Sequence, residues 1–484
     1  MTTADLRAAL HVAALFGIYL TLAMVVPAFA DAYVSNPDAV VFARLSVLGT
    51  AFFSALAMAT REGPPQLNRR MGILLVNLLW IVFCLVGAIP LWLSTENLTF
   101  TKALFESVSA ITTTGSTVMT GLDHAPPGLL LWRSMLQWFG GVGIVALGLF
   151  VMPFLRLGGM AFFRLESSDI NEKVFARIAT FMRAVVAIYV TLTLVCAAIY
   201  HVLGMTQFDA LNHAMTTIAT GGFSTHDQSF GYFKNIPLLW TATFFMTICS
   251  LPFSILVLFA VKRSAASIRD PQIIVFLGYL FVSAILLAIY RRAESGADFG
   301  TSLSHAFFNL ASILSTSGYA SEDYTAWGPF AVSLAFIATV AGGCSGSTSG
   351  GIKAYRFVIM YGAVRPAIMK VLYPDSIMTV RYGGAIVDPE MQRAIFLFFS
   401  MFISFWAAGT LSLSAMGYDF ATSASAVLSS LSNVGPGIGS MVGPAGNFAG
   451  MSDPALALLS ALMLMGRLEI VTVVLILSPF FWRS

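Results

Sequence analysis

Thr113-Thr114-Gly115-Ser116-Thr117 lies in a linker between two apolar runs, and clusters of the same kind return as Thr220-Gly221-Gly222-Phe223-Ser224, Thr316-Ser317-Gly318-Tyr319-Ala320 and Asn433-Val434-Gly435-Pro436-Gly437. Each has glycine third. The interval is roughly 100 residues, far beyond a solenoid period, so a whole module is duplicated. Seven positions before the clusters stand Glu106, His213, Asn309 and Ala426, and at a looser spacing Phe100, Phe208, Phe299 and Phe420 open a short helical run. The linkers are too long for turns and too polar for spans. The repeated unit therefore reads as helix, short re-entrant helix, extended loop, helix.

The rest of the chain says where such loops sit. Its 484 residues are 57% hydrophobic and 10% charged, with a mean hydropathy of +0.83. Soluble domains carry about 25% charged residues, which excludes an ordinary soluble enzyme. The 26 basic and 23 acidic residues form no basic run, so nucleic acid is not an expected partner. Cys84, Cys196, Cys249 and Cys344 have neither disulfide-framework nor metal-ligand spacing.

A bilayer span needs about 20 mainly apolar residues. Spans are expected near 8–30, 40–60, 71–93, 128–152, 178–203, 235–261, 271–290, 326–362 (interrupted), 391–416 and 454–480, an even number that puts both termini on one side. The first run lacks a cleavage site and reads as a span. Basic residues concentrate in alternate loops: Arg61, Arg69 and Arg70; Arg156, Arg164, Lys173, Arg177 and Arg183; Lys262, Arg263 and Arg269; Arg365, Lys370, Arg381 and Arg393. These loops, and with them both termini, are expected in the cytoplasm, with Arg291 and Arg292 dissenting. The opposite loops are acidic, from Asp31, Asp38 and Glu96 to Asp419 and Asp453, either to concentrate cations at an entrance or as a by-product of that bias.

Extended backbone at membrane depth is tolerated only where it is buried in protein or lines a water-filled cavity. Four such loops can ring one axis. A strand whose carbonyls all point inward needs alternating backbone handedness, which glycine adopts readily. Carbonyl rings of this kind replace the water shell of a cation, as in potassium-selective filters with threonine first and glycine third. The residues expected to hold the ion, mainly through backbone carbonyls, are Thr113, Thr114, Gly115, Thr220, Gly221, Gly222, Thr316, Ser317, Gly318, Asn433, Val434 and Gly435. Glu106 and His213 read as structural supports behind the loops.

From about residue 71 onward the chain resembles the Trk, Ktr and HKT superfamily of potassium transporters. The most specific stretches are Trp132-Arg133-Ser134 with Gln137-Trp138-Phe139-Gly140-Gly141-Val142-Gly143, then Gly342 through Lys353, and Gly466-Arg467-Leu468-Glu469-Ile470. Two extra leading spans and the ending Pro479-Phe480-Phe481-Trp482 look like the TrkH branch. The resemblance implies an all-α polytopic fold with four fused helix-pore-helix units around a pseudo-fourfold pore. Extra helices would occupy 1–68 and pore units 69–155, 156–264, 265–375 and 376–484. It further implies potassium uptake across a bacterial inner membrane, rubidium as a substitute ion, lipid contact and a homodimer. Regulation would come from a separate cytoplasmic TrkA-type ring, with no nucleotide on this chain. In the superfamily, serine in place of the first filter glycine accompanies sodium permeation, so Gly115 argues by resemblance for potassium. Gly221 departs from the commonest pattern but leaves the central glycine intact.

Gly342-Gly343-Cys344-Ser345-Gly346-Ser347-Thr348-Ser349-Gly350-Gly351 interrupts the eighth span, and no helix favours such a run. Gly351-Ile352-Lys353 lacks a phosphate-loop ending. The stretch reads as an intramembrane gate formed by Gly342, Gly343, Gly346, Gly350, Gly351 and Lys353, with a helix break for packing as the alternative. Arg467 inside the last span is functional by default. The resemblance points it into the pore below the filter, against cation passage. A structural ion pair, with Glu469 for example, is the alternative. Gly140, Gly141, Gly143 and Gly148 read as close-packing positions. A secondary transporter coupled to protons or sodium competes as a function, although the four units share one orientation whereas carriers usually show inverted pairs. Catalytic motifs are missing, so an enzyme is not expected.

Overall fold

The computed structural model describes residues 3–61, 69–150, 172–262, 269–375, 378–439 and 441–482. Arg156, Arg164 and Arg263 of the expected cytoplasmic loops lie outside these residues, as do the expected unit boundaries at 156 and 265.

Among the described residues, seven helices are long and apolar enough to cross a bilayer: Asp5–Tyr33, Asp38–Ala59, Arg70–Leu93, Pro127–Ala146, Thr180–Val202, Pro271–Ser295 and Pro389–Ala415. Large apolar side chains such as Val47, Leu48 and Phe52 stand exposed on Asp38–Ala59, as a lipid-facing surface requires. The expected spans 235–261 and 454–480 are each broken. The first becomes Ile236–Cys249 and Phe253–Ala260, bent by 98°, and the second Asp453–Arg467 and Ile470–Leu477, bent by 113°. Pro252 explains the first break, because proline removes a helix donor and clashes with the preceding turn. At the second, Glu469 takes a left-handed φ of +66°. The eighth span splits as expected, into Pro329–Val340 and Ala354–Leu372.

The fourfold repeat is explicit. Four short helices, Phe100–Ile111, Gln207–Ile218, Phe299–Leu314 and Phe420–Ser432, each follow a spanning helix and precede a cluster. Thr99, Thr206, Asp298 and Asp419 cap them, each side chain accepting a first-turn backbone N–H.

The leading helices are tied to this repeat by buried carboxylates. Asp31 Oδ1 accepts from Gly128 N at 2.6 Å, where Pro127–Phe150 begins, and Asp38 Oδ1 accepts from Thr95 N at 3.0 Å. Other outer acidic residues are engaged as well. Asp298 and Asp419 cap helices, and Glu322 pairs with Arg291 at 2.7 Å. The acidic residues of the loops expected outside are thus largely engaged structurally, and the dissenting Arg291 has its own counter-ion.

Candidate ion pathway

Each short helix ends in the same way. Thr114 N donates to Ser109 O at 2.8 Å, Gly221 N to Thr216 O at 2.9 Å, Ser317 N to Ser312 O at 2.8 Å and Val434 N to Ser429 O at 3.0 Å. This bond closes a Schellman turn, whose preceding residue must be left-handed. Thr113, Thr220, Thr316 and Asn433 accordingly have φ of +52°, +50°, +58° and +54°. Positive φ is costly for a β-branched residue. Two positions on, Gly115, Gly222, Gly318 and Gly435 are again left-handed, at +87°, +77°, +82° and +105°. Handedness alternates along the strand as the inward-carbonyl geometry requires. Each helix also aims the negative end of its dipole at the start of its strand.

The four strands close a ring. A Cβ on Gly115 would strike Gly221 O, one on Gly222 would strike Ser317 O, one on Gly318 would strike Val434 O, and one on Gly435 would come within 2.8 Å of Thr114 O. All twelve expected ion-site residues therefore lie in one cluster. Among the described residues, the carbonyls of Thr114, Ser317 and Val434 meet no protein donor, whereas Gly221 O accepts from Gln137 Nε2 at 2.6 Å. Gly435 O accepts from Ser116 and Ser429 hydroxyls, both at 2.8 Å. Outside the ring a cavity of about 70 Å³ is bounded by the four central glycines, Arg133, His226 and Phe448.

Residues seven positions before three of the four clusters brace the outward limb of the same strand. Glu106 Oε2 accepts from Val118 N at 2.8 Å, His213 Nε2 meets Ser224 Oγ at 2.9 Å, and Asn309 Oδ1 accepts from Ser321 N at 3.1 Å. Ala426 has no polar atom to offer. Between units one and two, His226 Nδ1 meets Asp123 Oδ1 at 2.5 Å, its Nε2 lies 3.5 Å from Asp209 Oδ1, and its ring stacks on Tyr232 at 3.5 Å. Burial alone would lower the His226 pKa, but hydrogen bonds and charge from Asp209 and Asp123 outweigh it and raise it above the usual histidine value. The bond to His226 lowers the Asp123 carboxyl in turn.

On the inner side the glycine-rich stretch packs directly beneath the strands. Gly350 N donates to Thr316 Oγ1 at 2.5 Å, Thr220 Oγ1 donates to Thr348 Oγ1 at 3.2 Å, and a Cβ on Gly350 would come within 2.6 Å of Ser432 O. Gly346 and Gly351 are left-handed, and a Cβ on Gly342 or Gly343 would collide with Gly350 O or Ser349 Oγ. Lys353 Nζ donates to Ser349 O. The sequence left open what satisfies this backbone at membrane depth. The partner is the break in the sixth span: Cys344 N donates to Ser250 O at 2.9 Å, Thr348 N to Cys249 O at 3.3 Å and Phe253 N to Gly346 O at 2.9 Å. A further chain reaches the two-stranded hairpin Arg381–Tyr382 and Ala385–Ile386. Ser345 N donates to Gln272 Oε1 at 2.9 Å, Gln272 Nε2 to Asp270 Oδ2 at 3.2 Å and Tyr382 Oη to Asp270 Oδ1 at 2.5 Å.

Arg467 is 4% exposed, yet Nε, Nη1 and Nη2 have no hydrogen-bond partner among the described residues. Glu469 is paired with Arg356 instead. Arg467 is close enough to Lys353 and Tyr189 to interact with both electrostatically. Two contributors to the site escaped the sequence reading as such: Arg133 and Gln137, which reach from the fourth span to the strands. An arginine inside an apolar span was the signal that singled out Arg467, and it applied equally to Arg133.

Fold and site together define a polytopic helical membrane protein with four re-entrant backbone strands around one axis. The TrkH family profile, "Cation transport protein", matches residues 39–290 and 295–484. The chain belongs to the TrkH family. It is 39% identical to the Trk system potassium uptake protein TrkI of Halomonas elongata, over 98% of this chain and 96% of that protein. It is 33% identical to TrkG of Escherichia coli over the full length of both. The crystal structure of the potassium transporter TrkH from Vibrio parahaemolyticus superposes with a TM-score of 0.90 at 31% identity, covering 99% of this chain and 100% of that one.

Proposed function

We propose that this chain takes up potassium across a bacterial inner membrane through a channel-like filter formed by the four strands and gated by the 342–351 loop. The observation that carries the reading is the closed ring in which each central glycine abuts the second carbonyl of the next strand. Dehydrated potassium, or rubidium in its place, is held by backbone carbonyls of the strands 113–115, 220–222, 316–318 and 433–435. Foremost are those of Thr114, Ser317 and Val434, which have no protein donor among the described residues, whereas Gly221 O and Gly435 O already accept side-chain bonds. The loop obstructs the inner mouth, and Arg467 adds a fixed positive charge to the ion path beneath the filter. Both termini are cytoplasmic and the units divide as the repeat implies. A homodimer and a cytoplasmic TrkA-type ring complete the assembly by resemblance, and the relatives' names support potassium as the cargo.

The test is reconstitution of the full chain into liposomes with potassium, rubidium, sodium or lithium gradients, with and without an imposed proton gradient. Passive flux with potassium and rubidium well above sodium and lithium is expected. Flux that needs a proton or sodium gradient would replace this reading with a coupled carrier.

A further inference from the structure

Arg133 is 1% exposed and lies in the wall of the outer cavity, midway between two filter strands. Its Nε donates to Glu106 Oε1 at 2.8 Å and Nη2 lies 2.7 Å from the same oxygen. Nη2 also donates to Thr117 Oγ1 at 3.1 Å, just past Gly115, while Nη1 donates to Ser224 O at 3.3 Å, just past Gly222. The guanidinium plane stacks on Phe223 at 4.1 Å. One side chain thus grips strand one through Thr117 and strand two through Phe223 and Ser224. One helical turn on, Gln137 grips strand two again, donating to Gly221 O at 2.6 Å and accepting from Phe223 N at 3.1 Å.

Two physical points turn this geometry into function. Glu106 is fully buried and neutralises Arg133, so a cation at the outer mouth meets no net positive charge there. Stability alone does not explain the pair, because a buried ion pair is often no more stabilising than well-packed apolar residues. What an apolar replacement could not supply is a planar fork that fixes two backbone segments at a set separation. Cation discrimination depends on how many carbonyl dipoles can close on an ion and how far, which makes the separation of neighbouring strands a selectivity variable.

We propose that Glu106 and Arg133 are specificity-determining positioning residues that couple the first and second filter strands and keep their carbonyls from closing on sodium. The proposal rests on the filter reading above. Its test is the sodium-to-potassium permeability ratio of the full chain in liposomes, together with melting temperature, for Arg133→Lys, Thr117→Val and, as a control on the filter itself, Gly115→Ser. Lysine keeps the charge that neutralises Glu106 but cannot grip both strands, so relative sodium permeability should rise about tenfold, the scale of one lost charged hydrogen bond. Thr117→Val removes the hydroxyl that accepts from Arg133 and donates to Glu106 Oε1 at 2.9 Å, bonds to charged groups, and should also raise it about tenfold. If Gly115→Ser changes the ratio and folded Arg133→Lys and Thr117→Val do not, the coupling is overturned and the filter stands. If none changes it, both fall. Should Arg133→Lys fail to fold, Thr117→Val alone decides. A lowered melting temperature with an unchanged ratio marks a purely structural pair and overturns the proposal.

Discussion

Arg133 and Arg467 are both buried arginines within apolar helices, on opposite sides of the filter strands, and their surroundings differ completely. Above the strands, Arg133 has a carboxylate, a hydroxyl, a carbonyl and an aromatic face, all satisfied. Below them, all three Arg467 nitrogens lack hydrogen-bond partners among the described residues. The contrast extends to the backbone. The outward limbs of three strands are braced by side chains of their own short helices, whereas the inner loop is held by the break of another span. A buried arginine without partners is tolerable only where water or an ion path reaches it, since an isolated buried charge is otherwise prohibitively costly. On the proposed reading, the outer half keeps a fixed spacing and the inner half obstructs and releases.

The largest effect should come from breaking the ring where the two halves meet. Gly222→Ala puts a side chain on a left-handed residue and drives its Cβ into Ser317 O, so rubidium uptake should fall by at least about tenfold. Undiminished, potassium-selective uptake would remove Gly222 from the ion path.

Next is the unpaired arginine. A cation about 4 Å from Arg467 is repelled by roughly 4 kcal/mol at an effective dielectric near 20, and by less in a wet cavity. Arg467→Ala should therefore raise potassium flux with selectivity unchanged, while Arg467→Lys retains most of the barrier. A destabilised, low-flux alanine variant, read by melting temperature and flux on one preparation, would instead make Arg467 a structural counter-ion.

Deleting Gly346 to Gly350 should raise basal flux and weaken its dependence on a cytoplasmic partner, and loss of flux in a folded protein would assign the loop to packing. The hairpin end of the same contact chain should be milder. Tyr382→Phe removes one hydrogen bond to the Asp270 carboxylate, worth about 1.5 kcal/mol at the low end of bonds to charged groups, and should raise basal flux by no more than about tenfold.

The smallest effect is expected at the outer clamp. The folded pKa of His226 is raised, so its contribution is complete below the unfolded histidine value near 6.5 and is lost as pH rises through the folded value. That of Asp123 is lowered, so its share is present above the usual carboxylate range and lost as pH falls through the folded value. The pair should stabilise the protein most at mildly acidic pH. Asp209 and the neutral Tyr232 ring face His226 from the second unit, and Asp227 adjoins it. Comparing melting temperature against pH for the native chain and His226→Gln checks this, and parallel curves would show that the clamp does not titrate.

The fourfold loop and its central glycines were legible because they recur at matched positions, and repetition separates signal from the apolar background; the interrupted eighth span was legible because no helix favours ten consecutive Gly, Ser, Thr and Cys residues. The left-handed first position of each strand was not, since threonine and asparagine there give no sign of the Schellman turn that imposes it. The breaks at 249–253 and 468–469 were hidden for another reason: hydropathy averages over a window and does not register one bent turn. Pro252 was the visible clue to the first, and Glu469 offered a weaker one to the second.

Composition and periodicity by themselves determined that this chain is a helical membrane protein with a duplicated re-entrant module, because burying apolar surface and satisfying backbone polar groups in lipid admit few alternatives. Only the tertiary structure decided which strand abuts which, that Glu469 belongs to Arg356 and not to Arg467, and that Arg133 spans two strands. Most of these contacts join residues about 90 to about 320 positions apart. Local sequence carries no information about such distances until the helices pack, and the ring of four strands is closed by them.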